Sequence, residues 1–347
     1  MFEAVITLCL ALEGAPCRDQ LIPGYEAPTQ AACAARLAST PPLVDADEGL
    51  IVRADPFCTA VGPALDVTEV APGVFVHTGA VAEPDADNRG DVANLGFVIG
   101  AQSIAVIDTG TARWVGEALW RAIRQHSDLP VSHVILTHMH PDHVLGASAF
   151  DGTGAQVVGH GRLPRTLADR QTIYRESLSR SIGMESFLGT RAVLPDGLIE
   201  GEVTVDLGGR PLRLISHPTA HTATDLTVLD AKTGTMFAGD LVFDRHAPAL
   251  DGSLRGWRAL LVVLAETEVT QIVPGHGRAI LDWPEGGEAT ARYLRVLEDD
   301  TRAAVTSGMR LGDATEVIGQ SEAPHWEVFD AYNPRNATVA FTELEWE

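Results

Sequence analysis

Lysine is almost absent from this sequence of 347 residues: Lys232 is the only one, and arginine supplies the other positive charges. We therefore expect no role for a lysine side chain in catalysis or substrate binding. Positive charge is scarce as a whole, because 47 acidic residues outweigh 25 basic ones and give a net charge of −22. A chain of this charge is repelled by phosphate backbones, so we expect no nucleic-acid partner.

Long apolar runs are also missing. No stretch reaches the roughly 20 consecutive apolar residues of a transmembrane helix, so we expect no membrane insertion. The apolar start has no basic region ahead of it and carries Glu3, which is not typical of a signal peptide. The alternation of Val5, Thr7 and Cys9 predicts a strand there instead.

Cysteine is confined to the first 60 residues, as Cys9, Cys17, Cys33 and Cys58. An even number in so short a segment predicts two disulfides, for which three pairings are open. Buried free thiols and a small metal site are the alternatives. The spacings are irregular and no Cys-x-x-Cys occurs, which argues against a zinc knuckle. Residues 21–29, between Cys17 and Cys33, contain two prolines and a glycine and therefore predict a loop.

Histidine and aspartate are concentrated in one short stretch, residues 137–143, which reads THMHPDH. The apolar, β-branched residues 131–136 before it predict a buried strand, so the motif leaves a strand end and enters a helix at about Asp142. Three imidazoles and a carboxylate are usual zinc ligands, and in a short loop they can converge on a pair of ions. Surface histidines on a polar loop are the alternative. Because the strand and the helix leave this loop little freedom, the sequence predicts a metal site.

At these residues the chain resembles the metallo-β-lactamase superfamily, whose signature is His-x-His-x-Asp-His. The remaining ligands of that family have counterparts downstream in the same order, each at a predicted strand end. The resemblance implies an α+β fold, namely an αβ/βα sandwich of two mixed sheets with helices on both outer faces. A small Cys-containing appendage, residues 1–62, precedes the main domain, residues 63–347, which carries C-terminal helices.

The resemblance also implies how seven ligands divide between two zinc ions. One ion would take His138, His140 and His221. The other would take Asp142, His143 and His276, with Asp240 bridging the ions. Asp108 matches an aspartate that buttresses the site in this family.

A closer resemblance lies in the segments 94–98 (NLGFV), 221–227 (HTATDLT), 240–243 (DLVF) and 248–257 (PALDGSLRGW). Together they resemble the quinoprotein relay system zinc metallohydrolases. That subfamily implies a functional link to a quinoprotein dehydrogenase system but names no substrate. With the cysteines it favours the periplasm, whereas the missing signal peptide keeps the cytoplasm open.

The implied activity is that of a metal-dependent hydrolase. Two divalent ions lower the pKa of shared water and polarise a carbonyl oxygen, so a zinc-bound hydroxide would attack an ester, lactone, thioester or amide-like bond of a small molecule. Asp142 and Asp240 are the catalytic candidates: Asp142 would orient the hydroxide or collect its proton, and Asp240 would bridge the ions. A strict β-lactamase is not expected, because the best-known group has a cysteine where this chain has Asp240 and often a lysine for the drug's carboxylate. Glyoxalase II types also use lysines, whereas lactonases share the full ligand set.

Two other functions stay open from the residues. An iron-dependent persulfide dioxygenase of this fold would use His138, His221 and Asp240, a facial arrangement of two histidines and a carboxylate. A non-catalytic, metal-binding accessory protein of a quinoprotein system is the second alternative, against which the intact set of seven ligands argues.

Several polar residues near the motifs are further candidates. Asp225 is a candidate for a hydrogen bond to a ligand histidine. A surface or structural role is the alternative for Asp225 and for the next two residues. Arg245 and His246 are candidates for the pocket lining, and the polar loop 80–92 is expected over the metals or as a plain surface loop. The charged helical stretch 162–188 predicts a pocket wall. Its arginines would bind an anionic substrate or form a solvated helix face; they are Arg165, Arg170, Arg175 and Arg180.

Overall fold

The computed structural model describes residues 1–12, 14–42 and 49–346. The strands are β1 (Phe2–Leu10), β2 (Cys17–Ala27), β3 (Leu50–Val52), β4 (Phe57–Ala60), β5 (Thr68–Ala71), β6 (Val74–His77), β7 (Leu95–Ile99), β8 (Ile104–Ile107), β9 (Val131–Leu136), β10 (Gln156–His160), β11 (Gly197–Ile199), β12 (Glu202–Asp206), β13 (Pro211–Ser216), β14 (Leu226–Asp230), β15 (Thr235–Phe243), β16 (Gln271–His276) and β17 (Leu281–Asp282). The α-helices are α1 (Gln30–Ser39), α2 (Arg113–His126), α3 (Pro141–Val144), α4 (Leu163–Ser181), α5 (Met184–Phe187), α6 (Leu254–Ala265), α7 (Glu288–Thr306), α8 (Leu311–Ala314) and α9 (Phe329–Leu344). None of these helices is long and apolar enough to cross a membrane.

The N-terminal appendage is a small sheet in which β1 pairs with β2, β3 and β4. Two disulfides join its parts, Cys9–Cys17 across β1 and β2 and Cys33–Cys58 between α1 and β4, which confirms the predicted pair of disulfides. The predicted loop at 21–29 is wrong, because β2 continues to Ala27. A register shift opposite Glu3 accommodates Pro23 and Gly24 before pairing resumes.

The first main sheet has seven strands in the order β11-β10-β9-β8-β7-β6-β5. Strands β5 to β8 pair antiparallel, whereas β8, β9, β10 and β11 run parallel. Parallel neighbours end at the same edge, so this half of the sheet presents several strand ends together. The turns after β8 and β9 therefore lie side by side.

The second main sheet has six strands in the order β12-β13-β14-β15-β16-β17. All neighbours are antiparallel except β15 and β16, which run parallel with a register shift around Gly239. Both sheets are thus mixed, as the sequence predicts.

Three apolar layers hold these sheets and helices together. Every residue of β8 is buried: Ala105 and Ile107 face the other sheet, and Ile104 and Val106 face α2. The second sheet is covered on its outer face by α6, α7 and α9. The result is a helix–sheet–sheet–helix sandwich, which confirms the predicted α+β fold class.

The appendage packs against α2 through buried charged groups. Arg18 of β2 contacts Glu117 of α2 at 2.7 Å, and Arg113 contacts the same carboxylate at 3.0 Å. Glu3 of β1 binds the Arg121 guanidinium at 2.8 Å. The boundary between 1–62 and 63–347 stays a prediction, and residues 13, 43–48 and 347 lie outside the described residues.

Candidate metal centre

The seven predicted ligands come together where strands of both main sheets end. His138 and His140 lie in the turn after β9, and the one-turn helix α3 that follows carries Asp142 and His143. The other three come from the second sheet: His221 from the loop after β13, Asp240 from β15, and His276 from the end of β16. Asp240 differs from the prediction in one respect, because its strand continues to Phe243.

Asp240 has room inside the sheet because the neighbouring strand has glycine at position 275. A Cβ on Gly275 would lie 1.9 Å from Asp240 Oδ1. Any other residue there would displace the carboxylate. The space that the Asp240 carboxylate occupies therefore exists because Gly275 has no side chain.

The first ligand group gathers three imidazole nitrogens around one oxygen of Asp240. The distances to Oδ2 are 3.5 Å from His138 Nε2, 3.9 Å from His140 Nδ1 and 3.4 Å from His221 Nε2. Two ligand atoms that each lie about 2.0–2.1 Å from a tetrahedral zinc ion are about 3.3 Å apart. These four side chains can therefore hold a metal ion.

The second ligand group faces the other oxygen of the same carboxylate. Asp240 Oδ1 lies 3.2 Å from His143 Nε2 and 3.4 Å from His276 Nε2. Asp142 Oδ2 completes the group at 3.7 Å from His143 Nε2 and 3.3 Å from His276 Nε2. Asp142, His143 and His276 can hold a second ion, and Asp240 has one oxygen toward each group.

Hydrogen bonds on the far side of each ring fix which histidine nitrogen carries the proton. Thr137 Oγ1 donates to Asp108 Oδ2 at 2.8 Å, so it accepts from His138 Nδ1 at 3.0 Å. His143 Nδ1 donates to Asp108 Oδ2 at 2.8 Å. The Nε2 atoms of His138 and His143 therefore carry lone pairs that point into the site, and neither has a hydrogen-bond partner among the described residues.

The other three histidines are fixed in the same way. His221 Nδ1 donates to the Ala249 carbonyl at 2.6 Å, and His276 Nδ1 donates to the Val92 carbonyl at 2.9 Å. His140 is reversed, because its Nε2 faces Asp251 Oδ2 at 3.3 Å and leaves Nδ1 for the site. As a result His140 Nδ1 and His221 Nε2 face each other at 3.0 Å, an arrangement that a shared cation stabilises.

The electrostatic environment keeps both central carboxylates ionised. Burial by itself would raise the pKa of Asp240, but the His143, His276 and His138 imidazoles outweigh it and hold that pKa well below its usual range. The pKa of Asp142 is lowered in the same way by His143 and His276. The histidines themselves differ: burial lowers the pKa of His138 to about 4, whereas for His276 the Asp240 and Asp142 carboxylates outweigh burial and raise the pKa to about 9.

Access to the site is uneven. The side chains of His140 and Asp142 are each 16% exposed, whereas those of His143 and His221 are completely buried. A substrate therefore approaches from the side of His140 and Asp142, and the remaining ligands form the floor.

Arg170 and Asp251 form one wall of this mouth. The sequence leaves the role of Arg170 open and does not connect Asp251 with the site. Arg170 of α4 binds Asp251 with both terminal nitrogens, at 2.6 and 3.1 Å, and Asp251 in turn contacts His140. Asp251 carries no local signal, because it lies 111 residues from His140 in the sequence. Among the other arginines of α4, Arg165 has a side chain that is 90% exposed and faces Asp169.

Aromatic rings pack beside the second ligand group, and one of them comes from the C-terminal helix. His246 is buried and stacks on His276 with ring centroids 4.5 Å apart. Tyr332 of α9 contacts His246 edge to face at 4.7 Å. His246 thus lies beside the metal-facing rings, whereas Arg245 turns to Glu327 at 2.7 Å.

The loop 80–92 contacts the second ligand group at its C-terminal end, where the Val92 carbonyl accepts from His276. Asp225 has the structural role and does not contact a ligand histidine by a hydrogen bond. Its carboxylate accepts hydrogen bonds from the Thr222 backbone N–H at 2.9 Å and from the Thr222 hydroxyl at 2.6 Å, and His221 is oriented by Ala249 instead. Burial raises the pKa of Asp225 to about 7.

Comparison with known proteins agrees with this geometry. A family model described as the metallo-beta-lactamase superfamily matches residues 88–276, more than half of the chain. The thioesterase pkgB of Emericella nidulans is 25% identical over 238 residues, which make up 64% of this chain and 58% of that protein. The chain thus spans less than two thirds of the length of this relative.

Solved structures share the fold. A metallo-beta-lactamase from Pontibacter korlensis has a TM-score of 0.54 and 23% identity, and the match covers 67% of this chain and 99% of the other. The metallo-beta-lactamase FIM-1 from Pseudomonas aeruginosa, described in a mono-zinc form, has a TM-score of 0.52 and 19% identity, with 67% and 95% covered.

Proposed function

Because the chain belongs to the metallo-beta-lactamase superfamily, we propose that it is a zinc hydrolase with a dinuclear site that cleaves a small thioester, lactone or other ester. The observation that carries this proposal is the position of Asp240 between two complete ligand groups, with one oxygen toward each. Each group has enough donors to hold an ion of its own.

The buried polar atoms of the site fit two divalent cations. His138 Nε2, His143 Nε2 and Asp240 Oδ1 are buried and have no hydrogen-bond partner among the described residues. Leaving such atoms unpaired is costly, and one cation in each ligand group would satisfy all three. Zinc suits the donor set because it accepts imidazole and carboxylate together. When bound, two zinc ions would supply Lewis acidity and lower the pKa of water between them.

The residues of the chain then divide the work. The Asp142 carboxylate is ionised and its side chain is 16% exposed, so it can orient a nucleophilic water and serve as the acceptor of its proton. Asp240 keeps the two groups at a fixed separation and is shielded from solvent. His246 and Tyr332 present an aromatic wall that can hold an apolar part of the substrate next to the reacting bond.

The substrate class is argued from the mouth of the site. Arg170, the basic residue of α4 closest to the ligands in the contacts above, is already paired with Asp251 through both terminal nitrogens. An arginine engaged in this way has fewer donors left for a substrate carboxylate, which argues against substrates anchored by an anion on this wall. The name of the relative pkgB, a thioesterase, makes thioesters the first compounds to examine.

The link to a quinoprotein dehydrogenase system remains part of this proposal. It rests on the sequence segments named above, several of which surround the first ligand group. Trp257, for example, contacts the His221 ring edge to face at 5.1 Å, and its indole N–H donates to the Leu241 carbonyl. Co-purification with a quinoprotein dehydrogenase from the native host, lost at high salt, is the result expected of such a link.

The proposal is tested by metal content and turnover in the same preparation. We expect about two zinc ions per chain, and hydrolysis of a thioester, a lactone or an aryl ester that chelation removes and added zinc restores. One iron per chain, together with oxygen consumption on a persulfide, would identify the dioxygenase instead. Two bound ions without turnover of any of these substrates would favour the accessory role.

A further inference from the structure

One short segment, residues 249–253, contacts two histidines of the first ligand group. The Ala249 carbonyl accepts from His221 Nδ1 at 2.6 Å. Two residues later, the backbone N–H of Asp251 donates to the His221 carbonyl at 3.0 Å. The Asp251 carboxylate reaches His140 Nε2 at 3.3 Å. The segment therefore holds the ring of His221 and the ring of His140 relative to each other.

Asp251 is itself held from outside the sandwich core by helix α4. Arg170 binds it with Nη1 at 2.6 Å and Nη2 at 3.1 Å, a two-pronged arrangement that fixes the plane of the carboxylate. Both side chains are only partly exposed, 40% for Arg170 and 32% for Asp251. A second ion pair on the same helix, Arg165 with Asp169, is longer at 3.8 Å and far more exposed.

The chemical consequence falls on His140. A ligand histidine that donates its second N–H to a carboxylate is fixed in ring orientation and tautomer, and its metal-facing nitrogen becomes a better donor. His140 is the ligand of the first group with the most exposed side chain, so packing alone restrains it least. Its orientation depends on Asp251, and the orientation of Asp251 depends on Arg170.

We propose that Asp251 and Arg170 are positioning residues for His140, and that helix α4 thereby sets the metal affinity of the first ligand group. This inference rests on the proposed function only in requiring that the two groups bind metal. It assigns Arg170 to the support of the site and excludes it as a receptor for an anionic substrate.

The test measures zinc dissociation constants by competition with a chromophoric chelator, in wild type and in variants of the full chain. Asp251→Ala is expected to weaken one of the two constants by about 10- to 100-fold, the usual effect of losing such a partner, and to leave the other unchanged. His221→Ala identifies the constant that belongs to the first group. Arg170→Gln is expected to weaken the same constant by less, and Arg170→Lys to recover part of the loss, because lysine pairs with a carboxylate at one point only.

Two further readouts separate positioning from general damage. Cobalt(II) absorption bands of the first group are expected to shift in Asp251→Ala and Arg170→Gln but not in Arg165→Gln, the matched control on the same helix. Adding Arg170→Gln to Asp251→Ala is expected to produce no further loss, since arginine acts through the carboxylate. Asp251→Asn, which keeps the shape of the side chain, serves if the alanine variant unfolds.

Wild-type constants and cobalt spectra in both Arg170→Gln and Asp251→Asn would overturn the inference, whatever the substrate assays give. A wild-type protein that binds no metal would overturn it together with the proposed function. Two tightly bound ions without hydrolysis would refute the proposed function alone, because the affinities of the variants still decide the role of Asp251 and Arg170.

Discussion

Asp108 accepts hydrogen bonds from both Thr137 and His143, so a single carboxylate orients one histidine of each ligand group. Its Oδ1 receives the Thr137 backbone N–H at 2.8 Å, and its Oδ2 receives the Thr137 hydroxyl and His143 Nδ1, both at 2.8 Å. His138 is reached through the Thr137 hydroxyl. Both ligand groups therefore depend on Asp108, which is not itself one of the seven ligands.

Replacing Asp108 by asparagine is expected to weaken metal binding by about 10- to 100-fold, because the amide has a single acceptor oxygen for three donors. The fold should survive, since Asp108 has a backbone φ of 58° and asparagine adopts this left-handed conformation readily. Zinc content after dialysis against a weak chelator measures the effect. Asp169→Asn, an exposed carboxylate on α4, is the control. Equal zinc retention in both variants would contradict the prediction.

Loss of either accessible ligand is expected to remove activity and keep the fold. For Asp142→Ala we expect turnover to fall by about 10²- to 10⁴-fold, the range usual for removal of a general base. His140→Ala should behave similarly, because it opens the first group. Steady-state assays at fixed zinc concentration give the loss, and circular dichroism monitors the fold. Full turnover by both variants would rule out the proposed hydrolytic mechanism.

Acid should loosen the appendage through Glu117. Burial would raise the pKa of this carboxyl, but Arg18 and Arg113 outweigh it and hold the pKa below its ordinary value of 4.5. The folded state therefore gains stability above that value, and this gain disappears as the pH falls through the folded-state pKa. Glu117→Gln is expected to cost about 3–5 kcal/mol of the free energy of unfolding at pH 7, and less in acid.

Thermal melts from pH 7 down to about pH 2, recorded in chelator so that metal release does not contribute, measure this difference, because the gain is lost only below pH 4.5. The exposed pair of Glu202 with Arg213 provides the control variant, Glu202→Gln, which should melt like the wild type throughout. A constant gap between wild type and Glu117→Gln over the whole pH range would refute the assignment.

Arg210 joins the two main sheets, because it forms a buried ion pair in the second sheet and hydrogen bonds to the first. The Arg210 guanidinium is 3% exposed, binds Asp230 at 2.6 Å, and donates to the Ile99 and Pro72 carbonyls of the first sheet. Arg210→Met would leave Asp230 buried without its partner, so we expect a loss of about 3–5 kcal/mol in the free energy of unfolding. Urea denaturation measures it, with Arg213→Met as the surface control. A loss no larger than that of the control would contradict this reading of the pair.

The resemblance carried by the motif at 137–143 predicts the sandwich and the set of seven side chains, because counterparts of the family ligands follow downstream in the same order. The residues alone predict an apolar strand at 131–136, and the structure has this strand as β9. Strand β2 was missed because Pro23 and Gly24 are typical of turns, whereas here they occupy a register shift beside a strong partner strand. Pairing with β1 overrides the local preference.

Contacts between distant segments carry no such signal. Spacing alone does not connect Asp251 with His140. The position of Asp225, four residues after His221, leaves both a ligand contact and a structural role open. The loop turns so that its carboxylate accepts from Thr222. The acceptors at Val92 and Ala249 are backbone carbonyls, and because every residue has one, the residue type does not predict which carbonyl binds a histidine.

Because those two acceptors are main-chain atoms, the histidines of the site differ in how easily a mutation can disturb their orientation. His221 and His276 are oriented by main-chain atoms, which remain whatever side chain positions 249 and 92 acquire. His138, His140 and His143 depend on side chains, each of which a single codon change can remove. In a lineage that loses this activity, decay of the site would therefore begin in the motif after β9, and the histidines of the second sheet would keep their poses longest.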